Sequence, residues 1–187
     1  MADRLYIVRH GETEWSRSGQ HTSRTDLPLT KHGIEQGEVV GRKLSGESFE
    51  MVLCSPLSRA RETCRLAGFA DAAEIDDDLH EWNYGEYEGR TTPQIRQVNP
   101  DWWLWRDGCP GGESPEEVGA RLDRALQRIA AVDGDVLAFA HGHSLRVLTA
   151  RWLELEVGTG AHFKLAAAAV SVLGHERTTP TIDRWSV

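Results

Sequence analysis

Residues 135–140 read Asp-Val-Leu-Ala-Phe-Ala and run straight into His141-Gly142-His143-Ser144. An apolar run without alternation is the pattern of a strand covered on both faces. Such a strand needs helices above and below it, and the rest of the chain supplies them. Arg4–Val8, Met51–Cys54 and Ala73–Ile75 read as further strands, and Ala167–Leu173 and Thr181–Trp185 as the last two. Thr30 caps a helix to about Ser45, with Ile34, Val40 and Leu44 near helical spacing. Ser55-Pro56 offers a cap and a first-turn proline for the next helix, whose buried stripe is Leu57, Ala60, Cys64 and Ala67. Thr91–Val98 reads as a short helix. Ser114-Pro115-Glu116-Glu117 carries a capping box ahead of Val118, Leu122, Ala125, Leu126 and Ile129. A final helix runs from the His141–Ser144 turn to about Leu155. The alternation predicts an α/β fold: a three-layer α/β/α sandwich around a mainly parallel, mixed sheet.

With 187 residues the chain makes one domain, 1–187. Residues 76–113 pattern poorly and are expected to form a small cap or insertion. A domain of this size buries roughly 70% of its unfolded surface and needs no disulfide or metal staple. Three cysteines, Cys54, Cys64 and Cys109, are an odd number without CxxC spacing, which reads as reduced thiols in a cytoplasmic protein. The N-terminus lacks the pattern of a signal peptide, and no apolar stretch is long enough to span a membrane. Lys plus Arg is 21 against 29 for Asp plus Glu, a formal charge of −8. That balance disfavours nucleic acid and anionic membranes as partners. It leaves room for a small anion at a local positive site.

Two tight histidine turns, Arg9-His10-Gly11-Glu12 and Ala140-His141-Gly142-His143, each follow a strand. Ligands of open α/β sheets bind beyond the carboxyl ends of strands. Arg59 lies one turn into the helix after the second strand. Guanidinium forks bind phosphate in a bidentate fashion, so Arg9, Arg59, His10 and His141 can converge on one tetrahedral anion. The polar segment from Arg9 to Pro28 is longer than a simple turn, and loops of that length in compact domains are usually functional.

Arg9-His10-Gly11-Glu12-Thr13 resembles the RHGET signature of the histidine phosphatase superfamily, which includes the phosphoglycerate mutases. Ser55–Thr63, Glu81–Gly89 and His141-Gly142 extend the match in order along the chain. The resemblance implies a phosphoglycerate mutase-like fold with His10 as nucleophile. Arg9, Arg59 and His141 would bind the phosphoryl oxygens, and Glu81 would protonate the leaving alkoxide. A general acid must hold its proton, so burial or a nearby phosphate charge is expected around Glu81. His10 must attack as neutral imidazole with its other nitrogen on a backbone acceptor. Ser16, Thr22, Ser23, Tyr84, Gly142 and His143 match substrate-contacting positions, although Ser16 stands where the mutases usually have Asn. Arg106, beside Trp102, Trp103 and Trp105, could meet a second phosphate; the alternative is that this cluster is simply packed over the sheet.

The segments 13–25, 81–89, 105–114 and 139–146 look most like the acid phosphatase and sedoheptulose-1,7-bisphosphatase branch. This implies a metal-independent phosphatase that needs no cofactor and takes a small phosphorylated metabolite. A cofactor-dependent phosphoglycerate mutase is the nearest alternative, but the mutases are longer after the acid region and at the C-terminus. A metallohydrolase ligated by His141 and His143 lacks a second ligand motif, and a non-catalytic binding protein would not require this set of groups. The exposed edges of such a sheet leave room for a homodimer.

Overall fold

The computed structural model describes residues 2–187. Its elements in order are β1 (Leu5–Arg9), α1 (Glu14–Ser18), α2 (Lys31–Lys43), β2 (Met51–Cys54), α3 (Ser58–Leu66), β3 (Ala73–Ile75), α4 (Thr92–Val98), α5 (Leu104–Asp107), α6 (Pro115–Ala130), β4 (Val136–Ala140), α7 (Gly142–Trp152), β5 (Val170–Glu176) and β6 (Thr179–Arg184). Three 3-10 segments, Asp77–Leu79, Gly85–Tyr87 and Val157–His162, join them. The strands form one sheet in the order β3-β2-β4-β1-β5-β6. β3, β2, β4 and β1 run parallel, and β5 and β6 close one edge antiparallel.

All five residues of β4 are fully buried, as its apolar run requires. Successive strand side chains point to opposite faces, and this alternation divides the interior into two cores. Leu5 and Ile7 of β1, with Val136 and Ala138 of β4, pack against α6 and α7 through Val118, Leu122, Ile129 and Leu148. Tyr6 and Val8, with Leu137 and Phe139, pack on the opposite face with Val40, Ala60 and Cys64 of α2 and α3. Trp82, Trp102 and Trp105, from the segment between β3 and α6, join the first core.

Several local expectations shift. Ile34 is 40% exposed; Val40 and Leu44 alone face the core. β5 and β6 begin at Val170 and Thr179, and α7 ends at Trp152. The α1 helix occupies part of the long polar segment and carries its own capping box, Thr13 with Ser16. Most informative is α3. Ser55 does not cap it: the helix begins three residues later, and the Ser55 hydroxyl lies 2.7 Å from His141 Nε2 while accepting from Leu57 N at 3.5 Å. The helix starts at Ser58, whose N–H donates to Asp26 Oδ1 at 3.0 Å. A distant loop carboxylate thus does the capping and leaves the local serine for the site.

Candidate active site

β1, β2 and β4 are parallel and in register, with Arg9 opposite Ala140 and Cys54 opposite Phe139. His10, Ser55 and His141 therefore leave the sheet side by side at its carboxyl edge. The His10 N–H donates to Ala140 O at 3.0 Å, and its carbonyl accepts from Ala168 N at 3.1 Å. Its ring Nδ1 lies 2.7 Å from Gly11 O. A carbonyl only accepts, so Nδ1 carries the proton and Nε2 keeps its lone pair. Burial, then the cations Arg9 and Arg59, hold this imidazole well below the usual histidine range, against the opposing pull of the Gly11 bond. It is neutral and nucleophilic.

Gly11 has a packing reason to be glycine. A Cβ there would sit 2.4 Å from Gly33 O in the first turn of α2. At Gly142 a Cβ would lie 3.3 Å from Arg9 Nε and 3.6 Å from Glu81 Oε2. The second histidine turn is thus kept small where the guanidinium and the carboxylate approach it.

Arg59 is completely buried. Its Nη1 donates to Thr25 O at 3.2 Å and its Nη2 to Ser23 O at 3.1 Å and Thr22 O at 3.3 Å. Arg9 donates through Nη1 to Leu165 O at 2.7 Å. The His141 ring is 5.2 Å from that of His10, centroid to centroid. Burial first, then Arg59, His10, His80 and Arg9, keep it neutral as well. Three buried nitrogens of this group, Arg9 Nε, Arg59 Nε and His141 Nδ1, have no hydrogen-bond partner among the described residues. Buried polar groups are almost always satisfied, so such a cluster calls for a specific partner. The two arginine Nε atoms are N–H donors, and His141 Nδ1 is a third in the tautomer whose Nε2 accepts the Ser55 hydroxyl proton. An anion with several oxygens is the ligand that meets them.

Glu81 stands opposite, 6% exposed. Its Oε1 accepts from Trp82 N at 2.9 Å and Ser144 N at 2.8 Å, and its Oε2 accepts from His143 N at 3.1 Å. Two of these donors are in the first turn of α7, whose N-terminus favours a negative group. Arg9, His10 and Glu81 line one cavity of about 280 Å³ together with Ser16, Thr22, Tyr84, Gly142 and His143. Three larger depressions, about 520 Å³ beside α3 and β3, about 550 Å³ against α6 and about 340 Å³ at the start of α2, are lined by none of the unpartnered buried nitrogens.

The remaining positions separate. The Ser16 hydroxyl lines the cavity but is engaged with Thr13, donating to its carbonyl at 3.0 Å. Thr22 donates to Gln20 O at 3.1 Å. Ser23 is buried behind the wall, donating to Glu81 O at 3.3 Å and offering its own carbonyl to Arg59. Tyr84 O–H lies 2.6 Å from His143 Nδ1. Burial pushes this phenol well above its ordinary pKa, so it stays protonated and donates. Arg106 is not at the site. It is exposed, pairs with Asp107 at 2.6 Å, donates to Asp101 O at 2.7 Å and borders the depression against α6. Trp102 and Trp105 are packed as a cap would be, while Trp103 is 41% exposed. The imidazoles of His141 and His143 turn to different hydroxyls, those of Ser55 and Tyr84.

Four residues with a part in the site had no role assigned from the sequence. Ser55 orients His141, and the strand-end position of Cys54-Ser55 was the signal for it. Glu88 accepts from the backbone N–H groups of Ser23, Arg24 and Thr25 at 2.9, 3.3 and 2.8 Å. His21 and Arg146 line the same cavity as His10; both fall in segments that carry the resemblance, 13–25 and 139–146, but no role attaches to either from the sequence.

A family model described as the histidine phosphatase superfamily (branch 1) matches residues 5–187. The chain is 41% identical over 179 residues to an acid phosphatase of Mycobacterium tuberculosis, covering 92% of this chain and 87% of that one. It is 39% identical over 189 residues to the sedoheptulose 1,7-bisphosphatase of Saccharomyces cerevisiae, covering 84% and 70%. A solved structure of an open reading frame product from Mycobacterium tuberculosis superposes with a TM-score of 0.92 at 38% identity, covering 99% of this chain and 97% of that one.

Proposed function

Because the chain belongs to the histidine phosphatase superfamily, we propose that it is a metal-independent phosphoric monoester hydrolase that works through a phosphohistidine on His10. Its substrates are small phosphorylated metabolites, sugar phosphates or bisphosphates, in keeping with what its relatives are named for. The observation that carries the reading is the set of three unpartnered buried nitrogens, two of them arginine N–H donors, beside an imidazole whose Nδ1 is held by a carbonyl and whose Nε2 is free.

In the first step His10 Nε2 attacks phosphorus. The N–P bond forms as the ester P–O bond breaks, and Glu81 gives its proton to the departing alkoxide. In the second step water attacks the phosphohistidine, Glu81 accepts a proton from it, and inorganic phosphate leaves as the N–P bond breaks. Arg9, Arg59 and His141 stabilise the charge spread over the phosphoryl oxygens in both steps. Charge neutralisation of this kind needs no metal or added cofactor. Residues 76–113 act as the cap, contributing Glu81 and Tyr84 to the cavity and Trp102 and Trp105 to the packing behind it. The free, buried thiols of Cys54, Cys64 and Cys109 suit a reducing cytoplasmic setting. No helix among the described residues is long and apolar enough to cross a membrane. The short edge strand β3, with Ile75 half-exposed, suits pairing with a second copy.

The test is phosphate release from p-nitrophenyl phosphate and sugar phosphates without added metal or bisphosphoglycerate. His10→Ala should lower kcat at least about a thousandfold and abolish acid-labile labelling of the protein by radiolabelled substrate. Retained labelling would remove His10 as nucleophile. Glu81→Gln should slow poor alkoxide leaving groups on the order of 100-fold or more, but p-nitrophenol much less. Equal slowing would take the acid role from Glu81.

A further inference from the structure

Glu81 is the only carboxyl group lining the cavity, and where its oxygens lie depends on how its backbone is held. Residues 80–84 belong to no strand or helix; they run between the 3-10 turns Asp77–Leu79 and Gly85–Tyr87. A buried segment without a ladder of its own must find partners elsewhere for its backbone groups. Here one ion pair supplies them. Arg121 of α6 and Glu113, just ahead of that helix, meet fork to fork, Nε to Oε1 at 2.8 Å and Nη2 to Oε2 at 2.9 Å. Both side chains are largely buried. Arg121 Nη1 donates to Asp78 O at 2.5 Å and to His80 O at 3.0 Å. Glu113 Oε2 accepts from Asn83 N at 2.8 Å, and its carbonyl accepts from Trp82 Nε1 at 2.9 Å. Its N–H donates to Asn83 O at 2.9 Å. Five bonds therefore grip the chain on both sides of Glu81, and none of them touches the Glu81 carboxyl group. Neither Arg121 nor Glu113 lines the cavity. As a source of stability a buried ion pair is no better than apolar packing. Its planar fork, however, fixes direction as well as distance.

Resting on the phosphatase reading above, we propose that Arg121 and Glu113 are positioning residues for the general acid: acting as one clamp from outside the cavity, they set the backbone on both sides of Glu81 so that its carboxyl group meets the leaving oxygen. The substrates that depend on the clamp follow from the chemistry. An ester whose alcohol leaves poorly needs the proton, and so needs Glu81 in place. An ester with a good leaving group departs without it and does not sense the clamp. Proton donation belongs to the transition state, so the effect falls on kcat more than on KM.

The experiment measures kcat and KM for β-glycerophosphate, phenyl phosphate and p-nitrophenyl phosphate, in order of improving leaving group. The proteins are the wild type, Arg121→Met, Arg121→Lys, Glu113→Gln, Glu81→Gln and the double variant Glu81→Gln/Arg121→Met. A misplacement of about 1 Å sets the scale, so Arg121→Met and Glu113→Gln should lower kcat on β-glycerophosphate about tenfold to 100-fold. Phenyl phosphate should fall less and p-nitrophenyl phosphate least. The ratio between esters cancels the fraction of folded enzyme, so a merely structural role leaves it unmoved. Arg121→Lys keeps the charge but cannot hold the carboxylate and both carbonyls at once, and should recover part of the loss. In the Glu81→Gln background, Arg121→Met should add no further dependence on the leaving group, because residues that act through one another are not additive. An equal fall on all three esters, or a leaving-group effect that persists undiminished without Glu81, would overturn the clamp. Should Arg121→Met fail to fold, Glu113→Gln decides alone, since it keeps the size of the side chain and the main-chain bonds to Trp82 and Asn83. If Glu81→Gln itself slows all three esters equally, the acid role of Glu81 falls, and the clamp with it. A wild-type protein that releases no phosphate from p-nitrophenyl phosphate would instead strike the phosphatase reading.

Discussion

The two ends of the cavity rest on different parts of the fold. The core of the phosphoryl end, Arg9, His10, Ser55 and His141, lies at or one position beyond the ends of β1, β2 and β4, and Arg59 reaches it from the first turn of α3. The other end is made by a loop residue, His21, by Tyr84 of the inserted segment and by the first turns of α7. Strand ends are fixed by ladder hydrogen bonds and by a core buried on both faces, so groups placed there are held in position. Such pre-organisation is what stabilisation of a transition state requires. The other wall has no strand ladder behind it; it is pinned by isolated bonds and ring contacts: His21 N to Arg90 O at 2.9 Å, the Tyr84–His143 bond, the His21–Tyr84 ring contact at 4.7 Å and the Arg146–Trp105 stack. A wall of that kind can change with the substrate while the chemistry stays in place.

Arg59 is where the two regions meet, and its removal should have the largest effect among these tests. It directs Nε to the phosphoryl end and ties down residues 22–25 through three carbonyls. Arg59→Met should lower kcat about 100-fold to 1000-fold, as loss of one oxyanion donor does. It should also raise KM, because the loop loses its anchor. A change in kcat with KM untouched would mean that the ends are independent. Steady-state kinetics on p-nitrophenyl phosphate separate these outcomes.

The same division explains what could be read from the sequence. β4 is legible because burial on both faces forbids alternation, and its successor His141 is then placed by the rule that ligands sit beyond strand ends. His10 and Arg59 follow by the same logic. The helix caps at Thr30, Thr91 and Ser114 form as their local sequences dictate. Ser55 departs from its local pattern because the helix starts at Ser58, where the distant Asp26 supplies the acceptor, and its hydroxyl meets the long-range partner His141; sequence proximity carries no trace of either partner. Arg106 neighbours the tryptophans in sequence, but its side chain pairs with the adjacent Asp107 and borders the depression against α6, not the cavity that holds His10. Arg146 and His21 come from distant segments, and only the fold brings them to one wall.

Glu88 gives a smaller and more selective test. Its carboxylate gathers the N–H groups of residues 23–25 while Arg59 gathers their carbonyls. Glu88→Ala frees those donors to water and loosens the loop without touching the phosphoryl end. We expect kcat/KM to fall roughly tenfold, a loss of about 1.4 kcal/mol, within the range for hydrogen bonds to a charged group, with most of the change in KM. A fall confined to kcat would place the loop in the chemistry itself and blur the distinction between the two ends.

The smallest effect concerns stability. His10, His21, His141 and His143 all have their pKa values lowered in the folded protein, burial being the first cause in each. The unfolded chain takes up protons on these rings near pH 6.5, while the folded chain does not until lower pH. Below 6.5 the unfolded state therefore binds more protons, and stability falls as pH falls. The contribution is fully present above about 6.5 and declines through the range above carboxylate titration. His21→Phe removes one of these proton-binding groups from the cavity wall while keeping a ring there. It should reduce the slope of unfolding free energy against pH by up to about 1.4 kcal/mol per pH unit between 6.5 and 5, measured by urea denaturation at several pH values. An unchanged slope would mean that His21 is as accessible to protons in the folded state as in the unfolded one. The wall that His21 shares with Tyr84 would then gain positive charge in mild acid.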